Sequence, residues 1–474
     1  MKKIFFGFII ILVSSGPVFA ANVFESTSKD QKSLDISIYN DNFAMVREVR
    51  QVLLVQGPSS LHYLDVPAFI TPETIQVRSL SAADDLNVYK QDYEHGTLNA
   101  QTLLDKFVEK KIKLITWHEY QDRKETVDAL LLSNDGEPVY QIGQEVFIGY
   151  PGSKVLPEIP GGMLTKPEFI WQIENKSAKP HDSEVTYLTL NMSWKMDYVL
   201  TIPESGNSGQ MSAWAQLTNQ TGIAFENAGL RLLAGQVNRA PQNTVAPRVY
   251  AMKVGMAMAS AASGSFQERP LFEYHAYDLA RKVTLSQNET KQVQFFKSKA
   301  VKFLKELRVE GAPNYYASIM NQDKEKVPVQ VFIEMNNAAE NGLGNPLPQG
   351  TVRLYSRDAQ GRQSFLGEDA ISHTPKNEDV KIRAGEAFDV TAERKQTDFR
   401  QITSNSTESE YEIKLKNKKA EDVEVVVSET VSGNWQVISQ SQPFEKVNSS
   451  TIQFKVKVPK SSENTVRYRV KIGF

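Results

Sequence analysis

Apolar and polar side chains alternate with a period of two along most of this chain. In the segment 411–416, Tyr411, Ile413 and Leu415 occupy one face of an extended strand and charged residues occupy the other, and 452–458 repeats the pattern. Such alternation is typical of antiparallel sheets with one buried and one solvated face. The fold class is therefore predicted to be mainly β, with tandem antiparallel β-sandwich domains.

One segment departs from this period. Between Asn99 and Ile112, apolar residues such as Leu103 and Phe107 recur at helical spacing with charged residues between them. The pattern predicts a single amphipathic helix that packs on a sheet. Short strands follow it, with hairpin chemistry at Asn134-Asp135-Gly136, and they predict a small β-barrel-like insertion.

The length of 474 residues favours roughly three domains after removal of a leader. Composition and turn signals divide the chain further. The predicted divisions are a signal peptide (1–20), an N-terminal β segment (21–96), a helix plus small β-barrel-like module (97–156), a central β-sandwich with a mobile loop at 240–270 (157–310), and a C-terminal immunoglobulin-like β-sandwich (311–474).

The N-terminus predicts export. Lys2 and Lys3 precede an apolar run, Ile4–Val13, that is too short to span a bilayer, and the predicted cleavage site lies between Ala20 and Ala21. We therefore expect a periplasmic or secreted protein. No later stretch approaches transmembrane length, so no transmembrane helix is expected in the mature chain. The complete absence of cysteine means that folding in an oxidising compartment needs no disulfide.

Composition and motifs exclude several function classes. The 54 Lys and Arg residues nearly balance the 56 Asp and Glu residues, which is unlike the basic footprint of a nucleic-acid binder. The chain contains no H-E-x-x-H, G-x-S-x-G or phosphate-loop motif. Catalytic, cofactor-binding and metal sites are accordingly predicted to be absent. Met252, Met256 and Met258 could hold Cu(I), but an adaptable apolar loop is the favoured interpretation.

The most interesting histidine is His275. In a strand, Glu273, His275 and Tyr277 would share one face, and a carboxylate, an imidazole and a phenol together could bind a ligand or partner. The favoured alternative is an ordinary outer polar face with cross-strand pairs.

Three further residues are candidates for a ligand or partner face. His373 and Lys376 flank Pro375, which predicts a turn that a partner could contact, although a structural turn is favoured. Among the five tryptophans, Trp435 follows a Ser-Gly-Asn segment and is predicted to be the exposed one. Core burial is expected for the other four.

The middle and C-terminal parts of the chain resemble a known family in several ordered blocks. These are Pro167–Trp171, Tyr187–Thr189, Ser193–Tyr198, Trp214–Gly222, Ala228–Gly235, Phe272–Tyr277 and Pro348–Asp389. Together they resemble an exported bacterial family of unknown function that includes the mucoidy-inhibitor A-like proteins. The resemblance implies tandem β-sandwich-like domains in the cell envelope and supplies no catalytic residues. The family name points to surface polysaccharide only by analogy.

The function predicted from these observations is that of a non-enzymatic, exported binding or scaffolding protein. Its expected partners are other envelope proteins or surface polysaccharide. One alternative is an envelope hydrolase whose residues converge only in the fold, with Glu273, His275 and Asp278 as first suspects. A second alternative is an outer-membrane β-barrel, because apolar residues of the last strand, from Val466 to Phe474, share one face.

Overall fold

The computed structural model describes residues 22–94, 100–118, 123–160, 166–239, 266–311, 316, 318–320 and 325–473, without the side chains of residues 118, 298 and 299. The predicted signal peptide, its cleavage site at Ala20 and Ala21, and the three loop methionines Met252, Met256 and Met258 lie outside the described residues.

Over the described residues the chain forms 33 strands, one α-helix and two short 3₁₀ helices, which confirms the prediction of a mainly β fold. The first strands are β1 (Asn22–Ser26), β2 (Gln31–Tyr39), β3 (Phe43–Val52), β4 (Gly57–Tyr63), β5 (Ile70–Ser79), β6 (Leu86–Glu94), β7 (Lys111–His118), β8 (Arg123–Ser133), β9 (Val139–Ile142), β10 (Glu145–Ile148), β11 (Ser153–Val155), β12 (Glu168–Asn175), β13 (His181–Leu190), β14 (Met192–Pro203), β15 (Ser208–Asn219) and β16 (Phe225–Ala234). The remaining strands are β17 (Phe266–Leu271), β18 (Tyr274–Leu279), β19 (Val283–Leu285), β20 (Glu289–Lys302), β21 (Leu304–Glu310), β22 (Glu325–Val327), β23 (Gln330–Asn336), β24 (Gly350–Arg357), β25 (Gln363–Ile371), β26 (Asp379–Glu386), β27 (Val390–Thr403), β28 (Ser406–Asn417), β29 (Val423–Thr430), β30 (Asn434–Gln440), β31 (Glu445–Asn448), β32 (Thr451–Val458) and β33 (Ser462–Gly473). The helices are α1 (Ala100–Asp105) and the 3₁₀ helices Ser28–Asp30 and Ala339–Asn341.

Six sheets contain these strands. Their orders are β1-β4-β12-β6 (sheet I), β17-β18-β16-β2-β3-β13-β5 with β19 beside β16 (sheet II), β20-β15-β14-β24-β25 (sheet III), β10-β9-β8-β7-β11 (sheet IV), β26-β23-β21-β29-β32-β31 (sheet V) and β22-β27-β28-β33-β30 (sheet VI).

Sheets I, II and III share the largest hydrophobic core. Trp171 from sheet I, Ile36 from sheet II and Tyr198 from sheet III are all fully buried in it. The core therefore joins the predicted N-terminal segment to the predicted central domain, and packing crosses the boundary drawn between them. Strand β24 also crosses a predicted boundary, because it pairs in parallel with β14 through Tyr198 and Val352.

Sheets V and VI enclose a second core and form the C-terminal sandwich. The apolar residues that the sequence placed on one face, Tyr411, Ile413 and Leu415, are fully buried, and so are the apolar residues of 452–458. Sheet V is tied to sheet III at its edge, where the backbone N–H of Arg383 donates to Asp369 Oδ2 at 2.8 Å.

Sheet IV forms a small module with its own core around Phe107, Ile112 and Tyr140. The predicted helix is shorter than its sequence period suggested, because α1 ends at Asp105. The backbone N–H of Glu109 donates to the Leu131 carbonyl at 2.7 Å, and Glu109 has a φ of +66°. Pairing with β8 thus replaces the continued helix. No helix in the described part of the chain has the length and apolar character needed to cross a bilayer.

Candidate functional site

The β17–β18 hairpin carries the first group of predicted site residues. Residues 266–270, the end of the predicted loop, lie in β17 instead. Strand β18 begins only at Tyr274, so Glu273 lies in the hairpin turn and not on a strand face. The face that contains His275 and Tyr277 also points inward rather than outward. Tyr277 is 2% exposed, and its hydroxyl donates to the Pro346 carbonyl at 3.1 Å.

His275 lies at the end of this inward face and remains partly exposed. Its Nδ1 is 2.8 Å from Glu268 Oε1, a carboxylate that the sequence analysis did not single out. The structure brings His373 within electrostatic range of His275. The backbone N–H of Gln349 donates to His373 Nδ1 at 3.1 Å, which requires this nitrogen to be unprotonated. Burial and then His275 lower the pKa of His373, against a smaller opposing effect of Asp41.

The three residues considered for a hydrolase site, Glu273, His275 and Asp278, do not come together in one site. Asp278 lies on the opposite face of β18 from His275, because the two are three residues apart in a strand. Asp278 binds Arg231 and Arg269, and although burial raises its pKa, these two arginines lower it overall. Glu273 is in the turn. Among the described residues, no group of three His, Asp or Glu side chains is placed to hold a metal ion.

The other predicted residues lie apart from this hairpin. Lys376 is exposed in the turn before β26. Trp435 is only half-buried, but its Nε1–H donates to the Ser449 carbonyl at 2.7 Å and Lys446 covers its ring. The expectation that Trp435 is the exposed tryptophan is wrong, because Trp117 on the small module is 57% exposed.

The outer face of sheet II carries an arrangement that sequence reasoning missed. Cross-strand register places Arg269, Ala276, Leu233 and Tyr39 in one row across β17, β18, β16 and β2. Residues in register point to the same side of a sheet. The opposite side supplies the main core through Leu232 and its neighbours, so this row faces outward.

A small cluster of buried apolar side chains lies on this outer face. Phe43, Leu233 and Ala276 are buried, yet they do not belong to the main core. Tyr39 stacks on Phe43 with ring centroids 4.2 Å apart, and the guanidinium of Arg239 lies 4.6 Å from the Phe43 ring centroid. The outer polar face was predicted for the side of β18 that contains His275 and Tyr277, but that side faces the core, and aromatic rings and an arginine cover the opposite, outward side.

Two aromatic rings extend this apolar cluster toward the hairpin turn. Tyr274 packs on Gly235, where a Cβ would come within 2.4 Å of the Tyr274 ring. Phe272, whose ring centroid is 6.3 Å from that of Tyr274, is 87% exposed and has a φ of +56°. The hydroxyls of Tyr39 and Tyr274 make no hydrogen bond to another described residue.

Burial and Tyr274 raise the pKa of Tyr39, with Arg231 opposing them, so these three groups are close in space. We call this surface the arginine–aromatic patch. It consists of Tyr39, Arg231, Arg239, Arg269, Phe272 and Tyr274, with Asp278 bound between two of the arginines. Flat rings and guanidinium groups at the surface, with two tyrosine hydroxyls that bond to no other described residue, are suited to binding a ligand or partner.

A cavity of about 220 Å³ beside β1 is a weaker candidate. It is lined by apolar residues such as Leu54 and Leu61 and by four polar residues, among them Ser26 and Asp30. The Ser26 hydroxyl donates to Asp30 Oδ2 at 3.2 Å, and Asp30 also caps the adjacent 3₁₀ helix. The side chains of Ser26 and Asp30 are therefore already occupied by structural hydrogen bonds.

Comparison with known proteins gives one family. A family model described as a domain of unknown function (DUF4139) matches residues 183–474. The matched range begins in β13 and contains every residue of the patch except Tyr39. A search among curated proteins found no match.

Proposed function

The chain belongs to the DUF4139 family, a domain of unknown function, and we propose that it is an exported, non-enzymatic cell-envelope protein that binds its partner through the arginine–aromatic patch. In this proposal the leader directs the chain to the periplasm or beyond. The proposal also includes a similarity to the mucoidy-inhibitor A-like proteins, which rests on the ordered sequence blocks from Pro167 to Asp389. The partner is an envelope protein or a surface polysaccharide.

The exposure of Phe272 is the observation that carries this proposal. An L-residue other than glycine in the left-handed region costs roughly 1–2 kcal/mol. A side chain that is 87% exposed recovers little of that cost by packing. Strained residues of this kind cluster at ligand-binding positions. A ring held at this place by the hairpin is therefore better explained by contact with a partner than by stability.

Charge at the patch supports the same function. Arg231 and Arg269 share the single carboxylate of Asp278, and Arg239 makes no salt bridge within the described residues. Elsewhere many ionisable groups on the outer face of sheet II are paired, as Arg47 is with Asp35 and Glu184. The arginines of the patch therefore retain hydrogen-bond donors for a ligand. Neighbouring charged groups on this face use theirs in salt bridges within the fold.

The test is capture of envelope components on the immobilised mature chain. The double variant Phe272→Ala/Arg239→Gln removes the exposed ring and the guanidinium of Arg239. The matched control is Phe388→Ala/Arg362→Gln, which changes a 93% exposed phenylalanine and an exposed arginine far along the chain. We expect the patch variant alone to lose a captured component. Equal capture by all three proteins would refute the proposal.

A further inference from the structure

We propose that the arginine–aromatic patch binds an acidic polysaccharide segment that carries carboxylate groups on its sugar rings. This inference rests on the proposed function, because it names the ligand class of the same surface. Three properties of the patch carry it: an excess of guanidinium groups, exposed ring faces, and an extended length.

The charge of the patch selects an anion. Asp278 accepts hydrogen bonds from Arg231 Nε at 2.5 Å and from Arg269 Nε at 2.8 Å, so one carboxylate faces two guanidinium groups. Arg239 adds a third guanidinium, whose carbon lies 4.6 Å from the Phe43 ring centroid. Planar guanidinium groups match the geometry of carboxylates and bind them with charge-assisted hydrogen bonds.

The rings select a ligand with C–H faces. Phe272 and Tyr274 stand next to each other at the hairpin turn, and Phe272 exposes nearly its whole ring. Aromatic faces carry partial negative charge, and C–H groups polarised by neighbouring oxygens make weak favourable contacts with them. A sugar ring presents such a C–H face, whereas an acidic peptide or free phosphate does not.

The length of the patch selects a chain rather than a single sugar. Tyr274 and Asp278 are four residues apart on β18, which is about 13 Å at the usual strand rise. Tyr39 and Arg269 lie in the row of Ala276, which is midway between Tyr274 and Asp278 along β18. The hydroxyls of Tyr39 and Tyr274, which bond to no other described residue, can both donate and accept, as recognition of sugar hydroxyls requires. A ligand that meets rings at one end and arginines at the other must span several sugar residues.

The experiment measures binding of short oligogalacturonates to the mature chain by titration calorimetry. Two probes separate the contributions of the ligand. Carboxyl-reduced oligosaccharide keeps the rings and loses the charge, and poly-L-glutamate keeps carboxylates without sugar rings. We expect binding of the oligogalacturonate, with either comparison probe weaker by about tenfold or more, since each lacks one set of charge-assisted or ring contacts.

Variants locate the site. Phe272→Ala should weaken oligogalacturonate binding by about fivefold, and Arg239→Gln by about tenfold. Phe388→Ala and Arg362→Gln serve as controls and should leave it unchanged. Equal affinity for poly-L-glutamate, absence of oligogalacturonate binding, or indifference to the patch variants would overturn the acidic-sugar assignment.

Failure of the acidic-sugar assignment can be distinguished from failure of the proposed binding function. If the patch variants lose a captured envelope protein and the oligogalacturonate does not bind, the acidic-sugar assignment fails while the binding function stands. If capture and oligogalacturonate binding are both indifferent to the patch, both proposals fail.

Discussion

Arg394 Nη2 lies 2.5 Å from Glu429 Oε1, and both side chains are sealed inside the C-terminal sandwich. The hydroxyl of Tyr316 donates to Glu429 Oε2 at 3.0 Å, and Tyr468 lies 2.8 Å from the Tyr316 hydroxyl. The pKa of Arg394 is raised, since attraction to Glu429 outweighs burial, which lowers it. Arg394 therefore stays charged, and the hydrogen bonds around Glu429 hold Tyr316 against the sandwich.

Removal of one partner should destabilise the sandwich strongly. Arg394→Met leaves the Glu429 carboxylate buried without its counter-charge, at a cost of about 3–5 kcal/mol in the free energy of unfolding. Chemical denaturation measures this change. Arg362→Met is the control, because the Arg362–Asp358 pair is at the surface and should contribute no more than about 1 kcal/mol. A loss in Arg394→Met no larger than in this control would contradict the assignment.

Gly311 should also be intolerant of substitution, for a steric reason. A Cβ at this position would lie 2.1 Å from Glu429 Oε2 and 2.8 Å from the carboxyl carbon. Gly311→Ala must displace a buried carboxylate that is already hydrogen-bonded, and overpacking of this kind costs about 1–3 kcal/mol. Thermal unfolding compares it with Gly473→Ala, where a Cβ would meet only ordinary contacts. Similar melting temperatures for the two variants would show that the carboxylate can move freely.

The backbone strain at Phe272 can be measured separately from binding. Phe272→Gly relieves the left-handed conformation, whereas Phe272→Ala removes the same ring and keeps the strain. We expect the glycine variant to be more stable than the alanine variant by about 1 kcal/mol in chemical denaturation. Equal stability of the two variants would mean that the turn stores no strain and would weaken the functional interpretation of the exposed ring.

His373 should give the stability of the fold a specific pH dependence. Burial and the neighbouring His275 lower the pKa of His373 from its ordinary value of 6.5, so the folded chain binds this proton less readily than the unfolded chain. The resulting stabilisation is present above pH 6.5 and is lost as the pH falls through the folded pKa.

His373→Gln removes the titratable imidazole and leaves a side-chain oxygen that can accept a hydrogen bond from the Gln349 N–H. We expect the variant to lose less stability than the native chain between neutral pH and about pH 5.5. Denaturation at both pH values gives the comparison, and NMR titration of the imidazole reports the pKa directly. An imidazole pKa above 6.5 would reverse the expected sign.

Strand patterns predicted the sandwich well because alternation reports burial directly. Residues 411–415 and 452–458 are buried on the side that the alternation indicates. The helix was overestimated because Phe107 and Ile112 do bury apolar side chains, but in a turn and a strand rather than in a continued helix. A burial pattern of period 3.6 over so few residues does not distinguish the two.

The site could be predicted only in part. Alternation correctly placed His275 and Tyr277 on the same side of β18, but it did not show which side faces the core, since both sides carry aromatic and polar residues. Packing against sheet III decides this through contacts such as that of Tyr277 with Trp194. The patch itself depends on the register among β2, β16 and the β17–β18 hairpin. Because β2 lies far from the other strands in sequence, no local motif encodes that register.

Photo-crosslinking from position 272 tests the central claim most directly. A benzophenone amino acid replaces Phe272 in the full chain, and the same group replaces Phe388 in the control. Irradiation in intact cells is expected to join an envelope glycan or protein to position 272 and not to position 388. The same crosslinks from both positions, or none from position 272, would contradict the assignment of this patch as the binding surface.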